Sequence, residues 1–240
     1  IEGLCAQFAQ TGNPWTRRPE EEVRRLLPAA HFDEGVNAVF FAGCTHTLKS
    51  PAVITRFFEI AAALKVDYLG AWDGAPYCCG LPLHSAGLAR EFNAHAATVA
   101  RRLARYKLVV TPCPACAYAL RALYADQGIA VGAKVLHVAE FLLPLLKKRG
   151  EGASARRRLA YHDPCYLGRY LGIFDEPRRA LDLAGVDVAE FQWSRDRAYC
   201  CGAGGNLPLT SPDTAHDVAD KRRAEFAQTG AEAIVTACPS

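Results

Sequence analysis

The chain has 240 residues, half of them hydrophobic and 22% charged, the balance of an ordinary globular protein, which excludes a disordered or collagen-like chain. The net charge is only +3, spread in short clusters such as Arg101-Arg102, Lys147-Lys148-Arg149, Arg156-Arg157-Arg158 and Lys221-Arg222-Arg223, which is too weak for a nucleic-acid binder. The longest apolar runs, at 38–44 and 141–146, fall far short of a membrane span. There is no Met and the first residue is Ile1, so a piece of a longer precursor is expected.

Residues 1–36 carry little core pattern and read as an arm or linker from an upstream domain. Residues 38–41 form a short apolar run ending at Gly43-Cys44, the pattern of a strand entering a cysteine loop. Ser50 is then expected to cap a helix that Pro51 opens, with Val53, Phe57, Ile60, Ala61 and Leu64 on its apolar face. A strand at 66–69 precedes Cys78-Cys79-Gly80, and a stripe of Leu88, Phe92, Ala96, Val99, Leu103 and Tyr106 marks a long helix. The strand Leu108–Thr111 leads into Cys113-Pro114-Ala115-Cys116, followed by a helix at 117–125, a strand at 135–138 and a helix at 139–148. A polar linker covers 150–158. The order then starts again, with a strand at 159–161 before His162-Asp163-Pro164-Cys165. Asp175 caps the next helix, with Pro177 in its first turn and Gly185 past its end. A strand at 186–191 precedes Cys200-Cys201-Gly202, and Ser211-Pro212 opens a helix striped by Ala215, Val218, Ala219 and Phe226, ending near Gly230. The last strand, Ala233–Thr236, runs into Cys238.

The cysteines show that this is a duplication. Cys44, Cys78-Cys79 and Cys113 are separated by 34 and 34 residues, and Cys165, Cys200-Cys201 and Cys238 by 35 and 37. Both pairs lie in Tyr-Cys-Cys-Gly, at 77–80 and 199–202. The first copy closes on Val-Thr-Pro-Cys-Pro-Ala-Cys and the second on Val-Thr-Ala-Cys-Pro-Ser, one position short of the corresponding last Cys, which is read as truncation. The expected fold is therefore α/β, with two tandem repeats at 37–150 and 151–240. Each is a Rossmann-like βαβαβ unit with parallel strands and its cysteine groups at the strand C-terminal ends, where open parallel sheets place their ligands.

Ten cysteines in a chain long enough to build its own core point to metal or redox chemistry in a reducing compartment rather than to a disulfide scaffold. Adjacent Cα atoms lie about 3.8 Å apart, below the usual disulfide span of about 4.4 Å or more, so Cys78 and Cys79 cannot pair without strain. Zinc suits the Cys113-x-x-Cys116 spacing, but five thiols exceed its four ligands and two neighbouring residues crowd one small ion. An iron–sulfur cluster removes the difficulty, because adjacent thiolates can bind different irons. Zinc remains the alternative. Gly80, Gly202, Gly204 and Gly205 suit close backbone approach and N–H donation to cluster sulfurs, or simple turns. Pro114 places Cys113 and Cys116 near a helix N-terminus, which favours thiolate.

The duplicated Cys…Cys-Cys-Gly…Cys-Pro pattern over residues 37–240 resembles the cysteine-rich CCG domain family, which includes B- and D-type heterodisulfide reductase subunits and iron–sulfur subunits of glycolate, lactate and glycerol-3-phosphate oxidising complexes. The stretches His162–Arg169 and Gly172–Arg178, with Gly12-Asn13-Pro14-Trp15, resemble the D-type branch, in which a ferredoxin-like domain precedes this region. The resemblance implies a non-cubane [4Fe–4S] cluster on Cys44, Cys78, Cys79, Cys113 and Cys116, and a second on Cys165, Cys200, Cys201 and Cys238, with Gly80 and Gly202 beside them. It implies electron transfer and disulfide reduction, with Cys44, Cys79, Cys165 and Cys201 as cluster-borne catalytic positions. His162, three residues before Cys165, is placed to donate a proton or a hydrogen bond there, although a structural role is the favoured reading. The other reading that it implies is a relay between a flavoprotein dehydrogenase and quinone, through partner subunits such as a ferredoxin-like domain, a flavoprotein or a membrane quinone-linked subunit. The implied location is the cytoplasm, or the inner face of the membrane through a partner. A zinc-stabilised interaction module is the third reading.

Of the remaining residues, His46 and His84 follow cysteines closely enough to assist a leaving thiolate, although a solvated or structural role is the favoured reading of each. His137 is expected to be structural and Cys5 a small hydrophobe. Tyr77 and Tyr199 suggest cofactor shielding or core packing, and Asp163 and Arg169 an ion pair or a cap.

Overall fold

The computed structural model describes residues 2–32, 35–150 and 157–240. Residues 151–156 of the expected linker lie outside them. Packing groups the chain into two units, one reaching His137 and the other spanning Val138–Cys238.

In the first unit, β1 (Ala38–Phe40), β2 (Leu69–Ala71), β3 (Leu108–Thr111) and β4 (Lys134–His137) form one sheet in the order β2-β1-β3-β4. Every pairing is parallel, and Ala38 lies opposite both Leu69 and Leu108. Every residue of β1 and β2 is buried, as helices on both faces of a parallel sheet require. In the second unit, β5 (Arg157–His162), β6 (Val186–Glu190) and β7 (Ala233–Thr236) follow the same plan in the order β6-β5-β7, again parallel. Both repeats are therefore α/β units with the first strand central. Helix Val138–Arg149, read from sequence into the first repeat, belongs to the second unit and packs on helix Asp175–Leu183.

Several local expectations change. Ser50 closes a short helix, Cys44–Lys49, its N–H reaching His46 O at 2.9 Å; Pro51 is the cap of helix Ala52–Ala63. That helix buries Ile54, Phe57, Phe58 and Ala61, while Ile60 is exposed. Phe57 stacks on Phe40 at 4.0 Å and Phe58 meets Phe40 edge-on at 5.6 Å, so the aromatic pair rather than the aliphatic stripe turns the helix inward. The second strand lies at Leu69–Ala71, not 66–69, because Tyr68 is exposed and burial begins at Leu69. The segment before residue 37 is helical at Glu2–Thr11 and Pro19–Leu26 and buries Phe8, Val23 and Leu27. It is tied to the first unit by an Arg24–Asp73 pair of 2.7 Å and by Lys49 over the Trp15 ring.

Helix Asp175–Leu183 is capped by Phe174, one residue before the expected cap, with Asp175 in the first turn and Gly185 at φ 86 past its end. Helix Pro212–Phe226 buries Ala215, Arg222 and Glu225, so its inward face continues through charged residues that a hydrophobic stripe does not reveal.

Candidate metal centre

Each cysteine group of the first unit follows a strand. Cys44 opens the helix after β1, Cys78 and Cys79 follow β2, and Cys113 caps helix Pro114–Tyr118 after β3 with Cys116 inside it. All five thiols are buried. Cys44 Sγ lies 3.5 Å from Cys78 Sγ. Contact continues from Cys78 to Cys79, from Cys79 to Cys116 and from Cys116 to Cys113, so residues far apart in sequence form one string of sulfurs.

The string shares its protons unequally. Thiol contacts from Cys116 and then Cys78 hold Cys79 well below the ordinary thiol value. Contact with Cys44 pushes Cys78 up, and contact with Cys113 pushes Cys116 up. Within the string Cys79 is thus the thiol whose neighbours favour the charged form, by donating S–H groups to it.

Backbone and aromatic groups fix the loops. Gly80 N–H points to Cys78 Sγ at 3.4 Å. His95 bonds Cys78 O at 2.7 Å and Tyr124 donates to Cys79 O at 2.9 Å. Gly43, at φ 76 and ψ 156, has no Cβ because one would stand 2.9 Å from Cys116 Sγ. The helix after Cys116 loosens to π-type turns at Ala119–Leu123 immediately before Tyr124, a feature common near functional sites. His46 and His137 both reach Pro112 O through Nε2, at 3.3 and 3.1 Å. A carbonyl only accepts, so both rings carry their proton on Nε2 in these bonds. Burial pushes His46 down to about 4. His84 is exposed and packs edge-on against Phe92 at 5.2 Å. Tyr77 is fully buried and stacks on Phe41 at 5.8 Å; burial pushes its phenol up.

The second group is more open. Cys200 is exposed, whereas Cys165, Cys201 and Cys238 are half-buried. The Cys201 thiol lowers Cys200 to about 5, with help from Gly202 N–H at 3.4 Å, and Cys201 rises in exchange. Burial, then Cys200, raises Cys165. Tyr199 is exposed and stacks on Trp193 at 5.5 Å, so it does not repeat the place of Tyr77.

His162, at the end of β5, accepts at Nδ1 from Arg222 Nε at 3.0 Å, leaving Nε2 to carry its proton. Burial and then Arg222 push it down to about 4. Arg222 also lies 3.6 Å over the Phe191 ring and pairs with Glu225. The expected Asp163–Arg169 pair is replaced. Asp163 receives both Arg178 guanidinium nitrogens at 2.7 and 2.8 Å and Arg195 N at 2.8 Å, while Arg169 donates to Ala198 O at 2.6 Å. Arg178 is the better partner because it forks between Asp163 and Glu190. Sequence reading missed His95, Tyr124, Gly43 and Arg222. His95 and Tyr124 were hidden inside helices, and Gly43 was signalled only by its place before Cys44.

Among the described residues no three His, Cys, Asp or Glu side chains are grouped as ligands of a single metal ion. The first donor set is instead an extended string of soft thiols, with neighbours Cys78 and Cys79 in the middle. That suits a multi-iron cluster, whose irons can each take a different thiol. No helix of the described residues is long and apolar enough to cross a membrane.

Two parallel α/β units, each gathering thiols at the carboxyl ends of its strands, define a cysteine-rich redox-cofactor protein. The chain belongs to the cysteine-rich CCG domain family, whose profile matches residues 38–121 and 159–240. It is 31% identical to the D-type subunit of the dihydromethanophenazine:CoB–CoM heterodisulfide reductase of Methanosarcina mazei, over 97% of this chain and 59% of the relative. It is 28% identical to the B-type subunit of the CoM/CoB fumarate reductase of Methanothermobacter marburgensis, over 83% and 40%. It is 29% identical to the EtfAB:quinone oxidoreductase of Syntrophomonas wolfei, over 74% and 26%. The chain thus spans well under two thirds of these relatives' length. Its family and its thiol donor set are those of iron–sulfur proteins.

Proposed function

We propose that this chain supplies the cluster-bearing part of a heterodisulfide-reductase-type oxidoreductase, passing electrons and taking part in disulfide reduction. The observation that carries the reading is the convergence of five buried thiols from three strand ends, with an adjacent pair at the centre. Cys44, Cys78, Cys79, Cys113 and Cys116 would hold one non-cubane [4Fe–4S] cluster, and Cys165, Cys200, Cys201 and Cys238 a second site with four thiols. Such a cluster supplies one-electron chemistry when bound. The chain's own residues do the rest: Gly80 and Gly202 aim N–H groups at cysteine sulfurs, and burial of the first group excludes water. His162 is uncharged, with its proton on Nε2 and its Nδ1 taken by Arg222, and would steady a leaving thiolate by donating a hydrogen bond rather than by giving up that proton. Cys44, Cys79, Cys165 and Cys201 are the thiols through which the disulfide chemistry would run.

The relationship to a quinone oxidoreductase favours a second reading, a relay between a flavoprotein and quinone. Both readings call for electron-transfer partners, among them a ferredoxin-like domain, a flavoprotein or a membrane quinone-linked subunit, and place the chain in the cytoplasm or at the inner membrane face. Iron, zinc and acid-labile sulfide in anaerobically purified protein test the cluster. Several irons with matching sulfide are expected, and zinc without sulfide would overturn it. An oxidised EPR signal altered by added thiol would favour disulfide chemistry, and its absence the relay.

A further inference from the structure

Tyr77 is 0% exposed, yet its hydroxyl has no hydrogen-bond partner among the described residues. Such a group loses its water on folding and receives nothing in return. The ring is not free to turn away, being stacked on Phe41 with an interplanar angle of 17°. The Thr47 hydroxyl lies beside the phenol but gives its own proton to Gly43 O at 2.9 Å and makes no bond of good geometry with it. Cys44 and Cys116, from two different strand ends, are both near enough to act on the phenol electrostatically. Tyr77 directly precedes Cys78 and stacks on Phe41, whose ring comes within 4.0 Å of the point, 2.9 Å from Cys116 Sγ, that a Gly43 Cβ would occupy, so the orphan O–H belongs to the neighbourhood of the first candidate centre.

We infer that the Tyr77 hydroxyl donates its hydrogen bond to the sulfur-rich cofactor held by Cys44, Cys78, Cys79, Cys113 and Cys116. This rests on the proposal that those thiols hold a cluster. An O–H donated to sulfur stabilises the more electron-rich state, so Tyr77 raises the reduction potential of the first site. It also makes the cluster-free protein carry an unsatisfied hydroxyl that the loaded protein satisfies. Tyr199 is exposed against Trp193 and has no such role, although the two tyrosines share the same four-residue motif.

The test compares the chain with Tyr77→Phe and Tyr199→Phe, each reconstituted anaerobically with iron and sulfide. Midpoints are read by EPR-monitored redox titration, in a Cys200→Ser/Cys201→Ser background that isolates the first site. Equal iron and sulfide uptake is expected for all. Tyr77→Phe shifts the midpoint to more negative potential and loses part of the H2O-to-D2O shift of the Fe–S stretching bands, while Tyr199→Phe changes neither. In the metal-free state Tyr77→Phe melts at the same temperature as the parent or higher. An unchanged midpoint and isotope shift, or a lower metal-free melting temperature, would overturn the inference while leaving the cluster in place. A parent chain that takes up no iron and sulfide would remove both readings.

Discussion

Gly43 and the two buried histidines show how individual residues set the first site. At φ 76 and ψ 156 Gly43 occupies backbone space that is essentially restricted to glycine, where other residues cost about 1–3 kcal/mol. Gly43→Ala should therefore lower the urea midpoint and also reduce iron uptake, because the new methyl presses on Cys116; iron analysis beside a denaturation curve reads both. His46 and His162, pushed down to about 4, start from about 6.5 in the unfolded chain. Their folded values are depressed, so the native state takes up protons less readily. Stability is whole above about pH 6.5 and is lost as pH falls toward about 4, by at most about 3 kcal/mol per group. Urea unfolding of the metal-free chain across that window should show the decline. His162→Asn, which retains an acceptor for Arg222, should make it shallower.

At the scale of elements, the helix at Ala52–Ala63 separates what pattern reveals from what packing decides. Its existence was plain from Pro51 and the apolar spacing, but its inward face was not. The spacing admits Ile60 as easily as Phe58, and only the rings of Phe40 and Phe57 settle the choice. Phe57→Ala should cost about 3–5 kcal/mol, while Ile60→Ala should stay within about 0.5 kcal/mol; paired denaturation curves decide. In the second unit, Arg178 joins β5, β6 and the helix between them by gripping Asp163 and Glu190. Arg178→Ala leaves the buried Asp163 with Arg195 N as its one remaining hydrogen-bond partner among the described residues and should cost about 3–5 kcal/mol. The strands and cysteine loops were legible because each repeats in the sequence. The Arg178 fork and the buried Arg222–Glu225 pair were not, since nothing in a string of letters distinguishes a charge that faces a carboxylate from one that faces water.

The two repeats share a strand order and a motif but not an environment. The first encloses five thiols; the second leaves Cys200 exposed, with its thiol drawn down to about 5. At neutral pH Cys200 is therefore an accessible thiolate, whereas the first group is shielded. Brief iodoacetamide treatment of the metal-free chain should label Cys200 first and the first group last, as peptide mass spectrometry would show, and reconstitution should suppress the Cys200 label. Preferential labelling among Cys44, Cys78, Cys79, Cys113 and Cys116 would mean that the burial difference does not persist in solution.

The oxygen of Pro112 receives one imidazole from the segment after β1 and another from the end of β4. Three stretches of chain thus meet on an atom that every amino acid possesses. A mutational scan would pass over residue 112 with little to report on this joint, and the loss would surface only at His46 or His137, each seeming to matter for reasons of its own. Replacing both histidines together should cost more than the sum of the separate losses, because either one alone still satisfies the Pro112 oxygen and only the double change leaves it without a donor.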